Sequence, residues 1–319
     1  MTANGSTIFP VIVPVTSQLQ SVNFYLIKTD RHLLLADAGM NTDECWQALN
    51  DTLAEHQLAL KDLTHIVITH HHVDHIGLIN RIVEEHPIPV YAHRLAVPRL
   101  KRDPDYLQKR IEFFADLYEK MGCGEAGEKQ VDYLKNAMKK NAGQSIECEI
   151  RDIKELPFQQ FQIIETPGHA IDQIALYDET RKSLISGDLL IEHISSNALV
   201  EPDEHGKRMK TLIDHEASLK KIQTLDIETV FPGHGKLIQN AHALIEKRIL
   251  GIQKKANKFL SLLENKRLTA SELAQQYYKD TYNKQFSLVM SEIIGHLDYL
   301  EEKGLIQKNF QHGVWSYYK

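Results

Sequence analysis

The stretch Thr69-His70-His71-His72-Val73-Asp74-His75 constrains this chain more than any other. It places four potential metal ligands, His70, His72, Asp74 and His75, within six residues. Leu63 to Thr69 reads as a short apolar strand with a β-branched bias, and Ile76 to Glu85 as an amphipathic helix, so the ligands fall at a strand-to-helix turn. Residues two apart in an extended segment point the same way. His70 and His72 can therefore grip one ion while Asp74 and His75, on the turn and the helix start, face a second. By the same alternation His71 points away and reads as structural.

Three further candidates share one local grammar. His169 follows the apolar segment Phe161 to Ile164 and a Pro-Gly turn, Asp188 ends Ser183-Leu184-Ile185-Ser186-Gly187, and His234 follows Val230-Phe231-Pro232-Gly233. Each comes after a short strand and a glycine that lets the backbone approach closely, and loops at strand ends are where a rigid sheet positions a reactive site. His93 and His193 could line the site but read as non-ligands. Asp37 reads as a turn carboxylate near the site floor, with a hydrogen bond to a ligand histidine as the alternative.

The H-x-H-x-D-H motif followed by spaced His, Asp and His resembles the metallo-β-lactamase-fold hydrolase superfamily, over most of residues 1 to 240. Val22 to Ile27 and Leu33 to Gly39 are similar to the paired N-terminal strands and the D-x-G turn of that family. The resemblance implies an α+β fold, a four-layer αββα sandwich. It also implies that His70, His72 and His169 hold one metal, that Asp74, His75 and His234 hold the other, and that Asp188 bridges them. An aspartate at the bridging position is closer to the glyoxalase II, lactonase and nuclease branches than to the antibiotic-hydrolysing class.

Two divalent ions, Zn²⁺ first with Mn²⁺ or Fe²⁺ as alternatives, carry four positive charges; Asp74, Asp188 and a bridging hydroxide return three. Such a centre favours an anionic or oxyanionic group. Metal binding lowers the pKa of water from about 15.7 to about 7, so hydrolysis is the expected reaction. Asp74 and Asp188 are the candidate catalytic carboxylates, with Asp188 orienting the hydroxide. The leading class is hydrolysis of a small ester, thioester or lactone. The alternatives are a phosphodiesterase or endoribonuclease on the same metals, and a mono-iron dioxygenase using His70, His169 and Asp188.

At 319 residues and 42% hydrophobic content the chain suits one large domain plus an appendage. The expected division is a hydrolase domain over 1–245, with a helical insertion at about 94–150, and a C-terminal unit over 246–319. No stretch approaches the roughly 20 apolar residues that cross a bilayer, and Ile8 to Val15 reads as a strand rather than a leader. Cys45, Cys123 and Cys148 form no even set and no CxxC, so a reducing cytoplasm is the expected setting.

In the insertion, Tyr106, Arg110, Phe113, Phe114, Leu117 and Tyr118 recur at helical spacing, as do Tyr133, Leu134, Ala137 and Met138. The reading is two helices separated by Gly122-Cys123-Gly124 and Gly127, forming a lid whose aromatic side chains touch substrate; packing on the body or a homodimer contact is the alternative. The tail from Glu246 carries 12 Lys and Arg against 8 Asp and Glu. It reads as a helix over Ile249 to Asn265, a capping box at Thr269 to Glu272, a helix over Ser287 to Lys303 and a hairpin centred on His312-Gly313. That order resembles a winged helix. Its third helix carries Glu292, Asp298, Glu301 and Glu302 against Lys303 alone, so nucleic acid is not the expected partner. A small-molecule substrate is.

Overall fold

The computed structural model describes residues 6–157 and 160–319. The first sheet has six strands in chain order: β1 (Thr7–Pro14), β2 (Ser21–Lys28), β3 (Leu33–Ala36), β4 (His65–Val67), β5 (Val90–Ala92) and β6 (Ile150–Asp152). The β1–β2–β3 part is antiparallel and the β3–β4–β5–β6 part parallel. Every residue of β3, β4 and β5 is buried, which is why these short strands, apolar but for His65 of β4, show no in-out alternation. The second sheet runs β10 (Thr229–Pro232), β9 (Ser183–Gly187), β8 (Ile174–Asp178), β7 (Gln162–Glu165), and only the β10–β9 pair is parallel.

Tyr25, Ile27, Leu34 and Val67 from the first sheet pack on Ile174, Leu176 and Ile185 from the second, joining the sheets face to face. The outer face of the first sheet is covered by α1 (Asp43–Glu55), the single turn α2 (Val73–Ile76) and α3 (Ile79–Glu85), through Leu49, Leu53, Ile79 and Ile82. The helix expected over Ile76 to Glu85 is thus broken. Gly77 stands at the break, and a Cβ there would lie 2.0 Å from the backbone N of Asn41, so the chain passes too close for any side chain. Past a four-residue helix, α4 (Val97–Leu100), and the insertion helices α5 (Pro104–Lys120) and α6 (Gly124–Lys140), α7 (Thr211–Gln223) and the start of α8 (Ala241–Leu262) cover the outer face of the second sheet through Leu219, Ile222 and Ile245. Helix, sheet, sheet, helix is the four-layer order that the resemblance implied.

The insertion departs from expectation in what it faces. Phe114, Leu117 and Tyr118 of α5 and Val131 of α6 share one core with the C-terminal segment, so these aromatic side chains hold two peripheral parts of the chain together and do not line the cleft beside His72 and Asp74. Gly127 lies within α6, where a Cβ would come 2.8 Å from the Cβ of Tyr118; it lets the two helices close and does not separate them. The C-terminal segment continues with β11 (Leu268–Thr269), α9 (Ala270–Tyr278), α10 (Asp280–Lys284), α11 (Phe286–Glu302), β12 (Gln307–Gln311) and β13 (Val314–Tyr318), and its sheet order is β11–β13–β12. The capping box at Thr269 and Glu272 is present, and the hairpin turns on His312 and Gly313, both at positive φ. The first tail helix begins at Ala241, earlier than expected, because Asn240 caps it. The expected division at 245 therefore falls inside a continuous helix that packs on the second sheet at Ile245 and on the C-terminal core at Ile252 and Phe259.

The acidic residues of α11 are used within the chain. Asp298, buried, takes both guanidinium nitrogens of Arg208, Glu302 accepts from Lys210 at 2.5 Å, and Glu292 pairs with Lys255. With twelve of its residues buried, α11 offers little free face for a groove.

Candidate metal centre

The seven predicted residues converge at one end of the sandwich. His70 to His75 follow β4, His169 lies on the β7–β8 connection, Asp188 follows β9 and His234 follows β10. The two sheets are tied together there. Asn23 of β2 donates its backbone N–H to Gly233 O at 2.8 Å and its side-chain amide to Pro232 O and Gly235 O, and the Tyr25 hydroxyl also donates to Pro232 O. Backbone must pass close at this point. A Cβ on Gly233 would lie 2.3 Å from Asp188 Oδ1 and 2.7 Å from His75 Cε1. Gly168 has φ 140°, in the region that only glycine enters readily, and a Cβ there would strike the Cα of His215 at 2.4 Å.

His70, His72 and His169 form one potential metal group, and Asp74, His75 and His234 a second. In the first, His72 Nδ1 stands 3.0 Å from both His70 Nε2 and His169 Nε2. In the second, His234 Nε2 lies 3.5 Å from Asp74 Oδ2, and His75 Nε2 lies 3.9 Å from Asp74 Oδ1. Asp188 stands between them, with Oδ2 at 3.4 Å from His169 Nε2 and 3.2 Å from His234 Nε2, and Oδ1 at 3.4 Å from His75 Nε2.

The tautomers are set from behind. His75 Nδ1 donates to Asp37 Oδ2 at 2.8 Å, His169 Nδ1 to Asn197 O at 2.9 Å, and His234 Nδ1 to Ser21 O at 2.8 Å. With a proton held on Nδ1, Nε2 is the nitrogen each ring turns to the centre, where a cation can take the place of a proton. His75 Nε2, His234 Nε2 and Asp188 Oδ1 are buried and have no hydrogen-bond partner. Unpaired polar atoms so placed are costly, and a divalent cation satisfies all three, so these residues fit a metal pair. The electrostatics agree. Burial, then the neighbouring imidazoles, push His70 and His72 well below the ordinary histidine pKa, into the neutral form that ligates. Burial opposes charge on His75 and on Asp188, yet Asp37 and Asp188 hold His75 well above its ordinary value, and His75 with His234 holds Asp188 well below its own. This half of the site draws positive charge.

Asp37 proves to be the partner of a candidate ligand. Buried at φ 61°, it also accepts from Thr69 N at 2.7 Å and Thr69 Oγ1 at 2.8 Å. His71 turns away, as alternation required, and both its backbone N–H and its Nδ1 engage Asp172, a buried carboxylate that sequence reasoning missed although it lies three residues past His169. His93 caps Leu95 N and His193 meets Gln18 O, and neither belongs to a metal group.

A cleft of about 330 Å³ opens beside His72, Val73 and Asp74. Its far wall comes from α4, α5 and the turn between them, which carry Arg99, Arg102, Leu107 and Arg110, and from the loop after β9, which carries Leu199 and Glu201. Glu201 is buried and accepts from Arg99 at 3.1 Å and from Arg110 Nε at 2.8 Å; these guanidiniums overcome burial and hold its pKa at about 2. Arg102 forms no ion pair among the described residues, so the wall is net positive.

Residues 18–234 match the sequence model of the Metallo-beta-lactamase superfamily. The chain belongs to that superfamily. A Bacillus subtilis protein named "Probable metallo-hydrolase YqjP" is 33% identical over 314 residues, spanning 98% of this chain and 97% of that one. An Aspergillus fumigatus protein named "Atrochrysone carboxyl ACP thioesterase" is 23% identical over 252 residues, 79% of this chain and 62% of that one. The crystal structure of a metallo-β-lactamase family protein from Thermus thermophilus superposes with a TM-score of 0.76 at 24% identity, covering 98% of both chains, which shows the shared fold. As a metallo-β-lactamase superfamily member related to metallo-hydrolases, the chain is a hydrolytic enzyme, and its His and Asp clusters suit a divalent metal centre.

Proposed function

We propose that the chain is a binuclear metal-dependent hydrolase of a small ester, thioester or lactone whose acyl or leaving portion carries a negative charge. The observation that carries this reading is the placement of Asp188 between the His70–His72–His169 and Asp74–His75–His234 groups, with orphaned atoms of His75, His234 and Asp188 turned inward. His70, His72 and His169 would hold one ion and Asp74, His75 and His234 the other. Five imidazoles favour zinc, with manganese or iron as alternatives. When bound, such a pair supplies a nucleophile from water near neutral pH and draws charge from the scissile oxygen.

The chain's own residues do the remainder. Asp188 Oδ2, near both His169 and His234, is placed to orient the attacking water and afterwards to pass a proton to the leaving group. Asp37, Asn197 and Ser21 fix the imidazoles, so no reorganisation is needed as charge develops. The arginine-bearing wall supports an anionic substrate, and the thioesterase relative supports an acyl compound. No helix among the described residues is long and apolar enough to cross a membrane.

The test is a turnover screen with matched pairs of thioesters, esters and lactones, with and without a terminal carboxylate, alongside phosphodiesters. Carboxylate-bearing acyl substrates should be preferred, and Asp188→Ala should abolish turnover. Phosphodiesters as the only substrates turned over would replace this reading with the nuclease one.

A further inference from the structure

A second cavity, of about 260 Å³, lies at the seam where the C-terminal segment meets the hydrolase body, and it shares no lining residue with the metal cleft. Its walls come from α7, α8, α11 and the loop after β9. Four observations mark it as more than a packing gap. First, three side chains in its walls each carry a buried polar atom with no hydrogen-bond partner: His215 Nδ1, Arg248 Nε and His296 Nε2. His215 and His296 are each 3% exposed, and native interiors rarely leave such atoms unsatisfied. Second, the polarity of two of these atoms is fixed. His296 Nδ1 donates to Glu292 O at 2.8 Å, so Nε2 is an acceptor, and Arg248 Nε–H is a donor.

Third, the cavity carries uncompensated positive charge. Glu292 is occupied by Lys255 and the Tyr278 hydroxyl. Arg248 donates only to the backbone carbonyls of Ile191 and Glu192, at 2.7 and 2.8 Å, and neither it nor Lys247 forms an ion pair among the described residues. Fourth, Gly251 lines the cavity from within α8 with nothing within 4 Å of where a Cβ would stand and no positive φ. Glycine in a helix interior is destabilising relative to alanine, and neither packing nor backbone conformation requires it here. It is solvent-exposed, so α8 leaves the rim of the cavity free of a side chain there.

We propose that this seam cavity binds a small hydroxylated oxyanion, a hydroxycarboxylate or a phosphate, at a site separate from the metal centre. Arg248 and Lys247 take the oxyanion, and the ligand's hydroxyl donates to His296 Nε2. The wall includes Asn197, whose carbonyl holds His169 Nδ1 at 2.9 Å, so the occupant rests on the residue that orients a candidate metal ligand from behind.

The test is calorimetric titration of the metal-loaded full chain with malate, succinate and inorganic phosphate, on the parent and on Gly251→Phe, Arg248→Gln and Asp188→Ala. Besides any binding at the metals, one saturable site per chain that persists in Asp188→Ala is expected, filled by malate or phosphate at millimolar concentration or below and by succinate at least roughly tenfold more weakly, for want of a hydroxyl. Gly251→Phe and Arg248→Gln should each weaken it by roughly tenfold or more, with circular dichroism confirming the fold; if Gly251→Phe fails to fold, Arg248→Gln decides. Asp188→Ala should leave it intact, which separates this site from the catalytic reading. The proposal is overturned if no probe saturates, or if binding survives Arg248→Gln but is lost in Asp188→Ala, which would place the anion at the metals.

Discussion

Replacing Asp37 with asparagine tests how the candidate ligands are held. Asparagine tolerates the left-handed backbone at φ 61°, so the change is confined to one atom. Oδ1 can still accept from Thr69 N, but the amide nitrogen now stands where Oδ2 accepted from Thr69 Oγ1 and from His75 Nδ1, both at 2.8 Å. The hydroxyl can rotate and accept. The imidazole cannot, because two donors would face each other, so its proton shifts to Nε2, the atom that lies 3.4 Å from Asp188 Oδ1. A protonated Nε2 cannot ligate. Loss of such an orienting partner costs metal affinity by roughly 10–100-fold, or about 1.4–2.8 kcal/mol. Competition with a chelating dye should show one ion weakened to that extent and the other unchanged, with the circular dichroism spectrum preserved. An Asp37→Asn variant that binds both ions with parental affinity would refute the argument.

Other consequences can be measured directly. Gly77→Ala forces a Cβ against backbone at 2.0 Å from Asn41 N and 2.2 Å from Met40 C, so urea unfolding should show a loss of about 3 kcal/mol or more, or no folded protein. Glu201 is buried with its pKa brought from 4.5 to about 2, so its stabilisation, about 3 kcal/mol, is fully present above pH 4.5 and lost as pH falls toward 2. Glu201→Leu should flatten that part of the acid-stability curve while lowering stability at neutral pH, because Arg99 and Arg110 lose their partner. Thr269→Ala removes one side of the α9 capping box and should cost about 1 kcal/mol in thermal or urea unfolding.

The metal groups were legible because their determinants are local. A ligand every second residue after a strand, and a glycine before each later ligand, follow from backbone geometry alone. The supporting partners were not, since Ser21 lies 213 positions from His234 and Asp37 lies 38 from His75, and only the folded sheets bring them together. Helical periodicity marked α5 and α6 correctly as helices but could not say what their apolar faces meet. Phe114 and Tyr118 meet the C-terminal core, while the arginines reach the cleft. Gly127 misled for a related reason: a glycine that permits close helix packing has the same appearance in sequence as one that ends a helix. The acidic residues of α11 could be read from the sequence, but not their partners: Asp298, Glu302 and Glu292 pair with Arg208, Lys210 and Lys255, which lie far from them in the chain.

The binuclear centre is tested most directly by elemental analysis of the purified protein beside Asp188→Ala and His234→Ala. The account predicts two divalent ions per chain in the parent, about one in His234→Ala, and reduced content in Asp188→Ala. A single ion in the parent, unaffected by His234→Ala, would contradict it.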